Sequence, residues 1–132
     1  SKPPWGEIVA VDLNEGKIAW RKPFGEYKEL TARGVPTTGQ DNFGGLFVTK
    51  TGLIFATGTP DRKIRAYDAL DGLELWSYTL PAAGSAPPLT YKVDGIQYVT
   101  VVASGGMFHG FKHKASSIVT FQLSDDSLKG IF

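Results

Sequence analysis

The sequence predicts an all-β chain made of repeated antiparallel hairpins, and three observations carry that prediction. Gly and Pro together number 24 of 132 residues, or 18%, against about 12% in an average protein. They punctuate the whole chain, and the longest stretches free of both are residues 111–129 and 61–71. Helices average about 11 residues and lose stability with either residue inside them, so a helical bundle and a coiled coil are excluded. Apolar residues also alternate with polar ones over short runs, which is the period of a strand with one buried face. Finally, the chain repeats itself. Residues 7–20 (EIVAVDLNEGKIAW) and 63–76 (KIRAYDALDGLELW) align without a gap at an offset of 56. The identities are Ile8/Ile64, Ala10/Ala66, Asp12/Asp68, Gly16/Gly72 and Trp20/Trp76.

Each full copy reads as a hairpin. Residues 8–12 form a strand, 13–16 a tight turn and 17–20 a second strand that ends on Trp20. The second copy repeats this with 64–68, 69–72 and 73–76, ending on Trp76. Glycine at the close of the turn supplies positive φ, and the Asp before it accepts turn N–H groups. Residues 46–49 and 53–57 flank the turn Lys50-Thr51-Gly52 as another hairpin. Residues 88–92 and 96–103 flank Val93-Asp94-Gly95, where Asp-Gly is a strong hairpin dipeptide. A last strand follows at 118–123 (IVTFQL), a fainter copy 54 residues after Ile64. The tail 124–132 reads as either a further strand or a turn.

The strands group into units of about 55 residues: a half unit at 1–22, a full four-stranded unit at 44–80 and an incomplete one at 86–132. Radial repetition of four-stranded antiparallel sheets around a channel is the β-propeller architecture. The expected fold is thus a partial β-propeller of about two and a half blades, an arc where closed rings have typically four to eight. Open blade edges predict pairing with the remaining blades or with a second copy of the chain.

Composition narrows the function. The net charge is +1, so there is no basic field for nucleic acid. Aromatics reach 12% with only 20% charged residues, which favours a packed core over disorder. There is no Cys, so neither a disulfide nor a Cys-ligated zinc can form. No Ser/His/Asp arrangement, phosphate-binding glycine loop or zinc motif is present.

The hairpin pattern A-x-D-x-x-x-G-x-x-x-W resembles the tryptophan-docking motif of quinoproteins. The ordered series is more specific. Pro3-Pro4-Trp5-Gly6 leads into residues 7–12, then come Asp41-Asn42-Phe43-Gly44-Gly45 and Ile64-Arg65-Ala66-Tyr67-Asp68. Pro88-Leu89-Thr90-Tyr91, Gly95-Ile96-Gln97-Tyr98-Val99 and Gly105-Gly106-Met107 complete it. This series resembles the C-terminal end of the PQQ-dependent glucose dehydrogenases of the membrane-bound type and, more distantly, the PQQ alcohol dehydrogenases. The resemblance implies a periplasmic eight-bladed propeller holding pyrroloquinoline quinone (PQQ) and Ca²⁺ in its channel. It also implies hydride transfer from a sugar or alcohol carbon to PQQ, with a quinone or cytochrome as electron acceptor. The cofactor carries the hard chemistry there, and the protein positions it. A cofactor-free scaffold or binding propeller is the alternative that the Trp pattern alone leaves open.

The same resemblance assigns cofactor contacts to Asn42, Phe43, Gly105, Gly106 and Met107. Phe43 stands where the family often has Trp, and Met107 also departs from a Trp. The family's catalytic carboxylate and calcium ligands fall upstream, so this chain is assigned no catalytic residue and no metal ligand. Asp41 and Asn42 are oxygen donors, but they gain no calcium role from the resemblance. His109 and His113 have i, i+4 spacing, yet Gly110 and the absence of helical periodicity oppose a shared metal and favour a loop at the channel mouth. Asp12 and Asp68 are read as turn carboxylates, and Trp20 and Trp76 as inter-blade packing. Arg62, Lys63 and Arg65 are read as solvent-facing.

Overall fold

A computed structural model of the protein describes residues 1–106 and 111–123. Met107 and His109, and the tail 124–132, lie outside the described residues. The elements are β1 (Glu7–Asp12), β2 (Lys17–Pro23), α1 (Lys28–Thr31), β3 (Leu46–Val48), β4 (Leu53–Ala56), β5 (Lys63–Asp68), β6 (Glu74–Thr79), β7 (Leu89–Val93), β8 (Ile96–Ala103) and β9 (Ser117–Leu123). They form three antiparallel sheets ordered β1-β2, β3-β4-β5-β6 and β7-β8-β9. This is the expected all-β partial propeller.

The sequence repeat is a structural repeat in detail. In both copies the carboxylate caps its own turn: Asp12 Oδ1 accepts from Asn14 N at 2.8 Å, and Asp68 Oδ1 accepts from Leu70 N at 2.8 Å. In both copies the register slips at the same place, between Ala10 and Val11 in β1 and between Ala66 and Tyr67 in β5. The extra residue on the facing strand is Ala19 or Leu75, next to each Trp. A bulge there bends the strand and re-aims its neighbours. The pairs Ala10–Trp20 and Ala66–Trp76 lie opposite each other in register. The expected ends differ, however. Trp20 and Trp76 do not close their strands, because β2 runs on to Pro23 and β6 to Thr79. At the Asp94-Gly95 hairpin both residues have positive φ, +49° and +77°, the signature of a type I′ turn.

The core lies between sheets. Phe55, Ile64 and Ala66 from the middle sheet, with Leu80 just after it, close on Val99, Val101 and Ala103 of the third. Ile54, Ala56 and Tyr67, on the opposite face of the middle sheet, close on Ile8 and Phe24 of the first unit. Successive residues of a strand point to opposite faces, so a sheet flanked on both sides buries every position of its central strands. Residues 64–67 of β5 are all buried. Here the solvent-facing reading of Arg65 is overturned: it is 3% exposed. Arg62 and Lys63 are also partly buried, through a hydrogen bond from Arg62 Nη1 to Pro81 O and an ion pair between Lys63 and Glu26.

Trp20 crosses between sheets. Its Nε1 donates to Ala69 O at 2.9 Å, and its ring covers Gly72, where a Cβ would stand 2.7 Å from Cε3. Trp76 meets Phe121 of the third sheet edge-to-face, with centroids 5.0 Å apart. Both rings therefore fill the inter-blade packing role expected of them.

Candidate functional site

Four segments meet at one end of the sheets: 24–45, 57–62, 80–88 and the described residues 104–106 and 111–116. They link β2 to β3, β4 to β5, β6 to β7 and β8 to β9. This end gathers most of the sequence-assigned site residues, for backbone reasons that are visible one by one.

Gly44 sits where three segments cross. A Cβ on it would stand 2.4 Å from Thr57 O and 2.7 Å from Gly84 O. Only a residue without a side chain admits this approach. Phe43, just before it, donates its N–H to Gly58 O at 3.0 Å. Its side chain stays 42% exposed and meets the buried Phe111 ring edge-to-face at 5.9 Å. Asn42 is exposed and borders a cavity of about 140 Å³ shared with Ile8, Phe24, Ala56 and Thr57.

Gly105 and Gly106 arrive from the other side. Gly105 N donates to Ala83 O at 2.9 Å. A Cβ on Gly105 would stand 2.1 Å from His113 O, so the chain's own return path accounts for this glycine. The Cβ position of Gly106 looks onto Ser85 Oγ at 3.4 Å and the Phe111 ring at 3.7 Å. Ser85 and Ser104 share a hydroxyl–hydroxyl contact at 3.3 Å. The two stretches far apart in sequence thus converge through residues 83–85 and Phe111. His113 is exposed and not helical, and Asp41 is exposed. Among the described residues no group of three or more His, Cys, Asp or Glu side chains is placed to hold a metal.

Sequence reasoning missed Phe111. Its signal was an apolar ring in a loop whose neighbours are His, Gly and Lys, where no strand alternation explains it. Sequence reasoning also missed a buried charged cluster beneath the site. Arg65 Nη1 donates to Thr59 Oγ1 and Asp61 Oδ1, both at 3.2 Å, and Nη2 closes a second contact on Asp61 Oδ2. Thr59 Oγ1 donates to Asp61 Oδ1 at 2.6 Å. Arg65 Nε lies 3.4 Å from Glu74, and its guanidinium stands 5.8 Å from the centre of the Phe24 ring. Burial by itself pushes the Asp61 carboxyl up, but the hydrogen bonds and charge of Arg65, with donors from Thr59 and Lys63, outweigh it and hold the carboxyl below its usual range. Burial lowers the Arg65 guanidinium, yet Asp61 more than offsets this and raises it. The pair is therefore fully charged at neutral pH.

The chain was compared with known proteins. A family model described as the β-propeller domain of glucose/ethanol/alcohol dehydrogenases with PQQ matches residues 1–99. The glycerol dehydrogenase large subunit of Gluconobacter thailandicus is 40% identical over 82% of this chain and 15% of its own length. The quinoprotein glucose dehydrogenase of Escherichia coli K12 is 35% identical over 95% of this chain and 16% of its own. Among solved structures, the quinohemoprotein alcohol dehydrogenase of Comamonas testosteroni superposes with a TM-score of 0.67 at 26% identity, over 88% of this chain and 16% of that one. The chain spans about 15% of the length of the curated relatives it matches.

Proposed function

The chain belongs to the PQQ-dependent glucose/ethanol/alcohol dehydrogenase β-propeller family, and on that footing we propose that it forms one arc of a periplasmic quinoprotein that oxidises a sugar or alcohol hydroxyl. Glucose dehydrogenase of the membrane-bound type is the proposed parent class, with a quinone or cytochrome taking the electrons. PQQ, when bound, supplies the two-electron acceptor for hydride from the substrate carbon. The role proposed for this chain is to bind and orient. Phe43 presents a ring face to a flat quinone, Asn42 presents an amide, and Gly105 and Gly106 line the same edge.

One observation carries this reading: the Asn42–Phe43 and Gly105–Gly106 stretches share one edge, with a half-exposed ring beside an exposed amide. That pairing suits a planar, carboxylate-bearing quinone. The open arc supports the proposed partners. Large apolar side chains left exposed on its strands, such as Val11, Ile18, Leu89 and Ile118, are surface that the remaining blades would cover.

The test is a PQQ titration of the full-length protein followed by Trp fluorescence. Phe43→Ala should weaken PQQ binding about tenfold, since stacking on one aromatic ring is worth about 1 kcal/mol beyond its area. It should leave the melting temperature nearly unchanged. Tight binding that ignores Phe43→Ala would remove the ring from the site. A flat response in the unsubstituted protein would favour the cofactor-free scaffold.

A further inference from the structure

We propose that Asp61 and Arg65 are positioning residues, whose buried pair holds the 57–62 turn in the shape that sets Asn42 and Phe43 on the site's edge. The inference rests on the cofactor reading above for what that edge meets.

A charged guanidinium in the middle of a buried strand is costly. Replacing such a pair with apolar side chains of similar volume is often neutral or stabilising. Stability alone therefore does not explain Arg65, and its geometry is more informative. The guanidinium makes two contacts to the Asp61 carboxylate and a third to Thr59 Oγ1. Asp61 Oδ1 also accepts the N–H of Lys63 at 3.2 Å. Inside this grip, Arg62 is held at φ +63°, a left-handed conformation that non-glycine residues rarely adopt. Its N–H closes on Thr59 O at 3.0 Å. The turn's shape is thus tied to the ion pair.

The turn in turn grips the segment that carries the site. Glu26 N donates to Asp61 Oδ2 at 2.9 Å. Asp61 N donates to Gln40 Oε1 at 3.1 Å. Phe43 N donates to Gly58 O at 3.0 Å. Gln40 is buried, and its own N–H is held by Phe24 O at 2.8 Å. Residues 40 and 43 are therefore both fastened to 57–62, and the exposed Asp41 and Asn42 span the gap between two fixed points. Asn42 projects where it does because both ends of its short span hang on one turn. That turn keeps its form through a salt bridge lying between two sheets. Two charge-assisted hydrogen bonds on a buried carboxylate are directional enough for this task, which an apolar pair of equal volume cannot perform.

The experiment uses the full-length protein with two variants: the double substitution Asp61→Leu/Arg65→Met, and Gln40→Met, which leaves the ion pair intact and removes one tie. Amide hydrogen exchange of residues 41–45 in the cofactor-free protein and the PQQ dissociation constant are both measured. In the double variant exchange at 41–45 should speed up and PQQ binding should weaken, each by about tenfold. Gln40→Met should move both readouts in the same direction by a smaller factor, and it carries the test if the double variant does not fold. Unchanged exchange at 41–45 would overturn the proposal. So would faster exchange with unchanged PQQ affinity, the pattern of a merely structural pair. An unsubstituted protein that binds no PQQ would overturn the cofactor reading and this inference with it, and it would do so before any substitution is made.

Discussion

Two glycines at equivalent repeat positions allow the docking of Trp20 to be weighed. Gly16 and Gly72 have φ of +65° and +72°. Alanine at either position meets the left-handed penalty of about 1–2 kcal/mol. Around Gly16 nothing lies within 4 Å of the new methyl position, so Gly16→Ala should cost that penalty and little more. At Gly72 the methyl would stand 2.7 Å from Trp20 Cε3 and 2.8 Å from Cζ3, well inside the 3.5–4.0 Å carbon contact distance. The indole would have to lift by about 1 Å. That strains or breaks its 2.9 Å hydrogen bond to Ala69 O, a loss of about 1 kcal/mol. It also uncovers roughly 40 Å² of apolar surface, another 1 kcal/mol or so at about 25 cal/mol per Å². Gly72→Ala should therefore cost about 2 kcal/mol more than Gly16→Ala. Urea denaturation of the 132-residue chain, followed by Trp fluorescence at a concentration where sedimentation shows one species, should separate the two midpoints by about 1 M. Equal midpoints would refute the idea that the Trp20 contact holds the first two sheets together.

Other predictions follow from the same geometry. The Asp61 carboxyl is held below its usual range in the folded state, so its stabilisation is full above the unfolded value near 3.9 and fades as pH falls through the depressed folded value. Melting temperature should thus drop more steeply below about pH 4 in the unsubstituted protein than in Asp61→Asn; parallel curves would contradict the assigned direction. On the outer face of the first sheet, Val11 and Ile18 face each other in register and are 53% and 49% exposed. Val11→Lys with Ile18→Glu should reduce self-association of the isolated chain in sedimentation without lowering its β-sheet circular dichroism signal. Unchanged association would place the contact on another edge.

Much of the fold is local and could be read directly. Hairpins at 8–20, 46–57 and 88–103 depend on alternation and on turn residues within a few positions of each other, and each lies within a few residues of where it was expected. The matching bulges beside Trp20 and Trp76 were not legible, because a bulge is a relation between two strands. The single helical turn α1 was also missed: four residues without a side-chain cap leave no pattern to find. At the candidate site, Asn42, Phe43, Gly105 and Gly106 were named from their order in the chain. Their shared place at one cofactor was an expectation of the resemblance, but the part that Phe111 and residues 83–85 play in joining them was not foreseen.

Arg65 marks the boundary most sharply. Within Ile64-Arg65-Ala66-Tyr67-Asp68 the alternation correctly places Arg65 opposite Ile64 and Ala66. Whether that opposite face meets water or another sheet is not a property of the strand. The sequence by itself determined the strands, their turns and the docking Trp residues, because these follow from backbone preference and period-two patterning over short distances. Tertiary structure decided that the middle sheet is covered on both faces. It thereby turned a residue read as solvated into a buried ion pair with Asp61, since burial is set by what the neighbouring sheets place against each side chain.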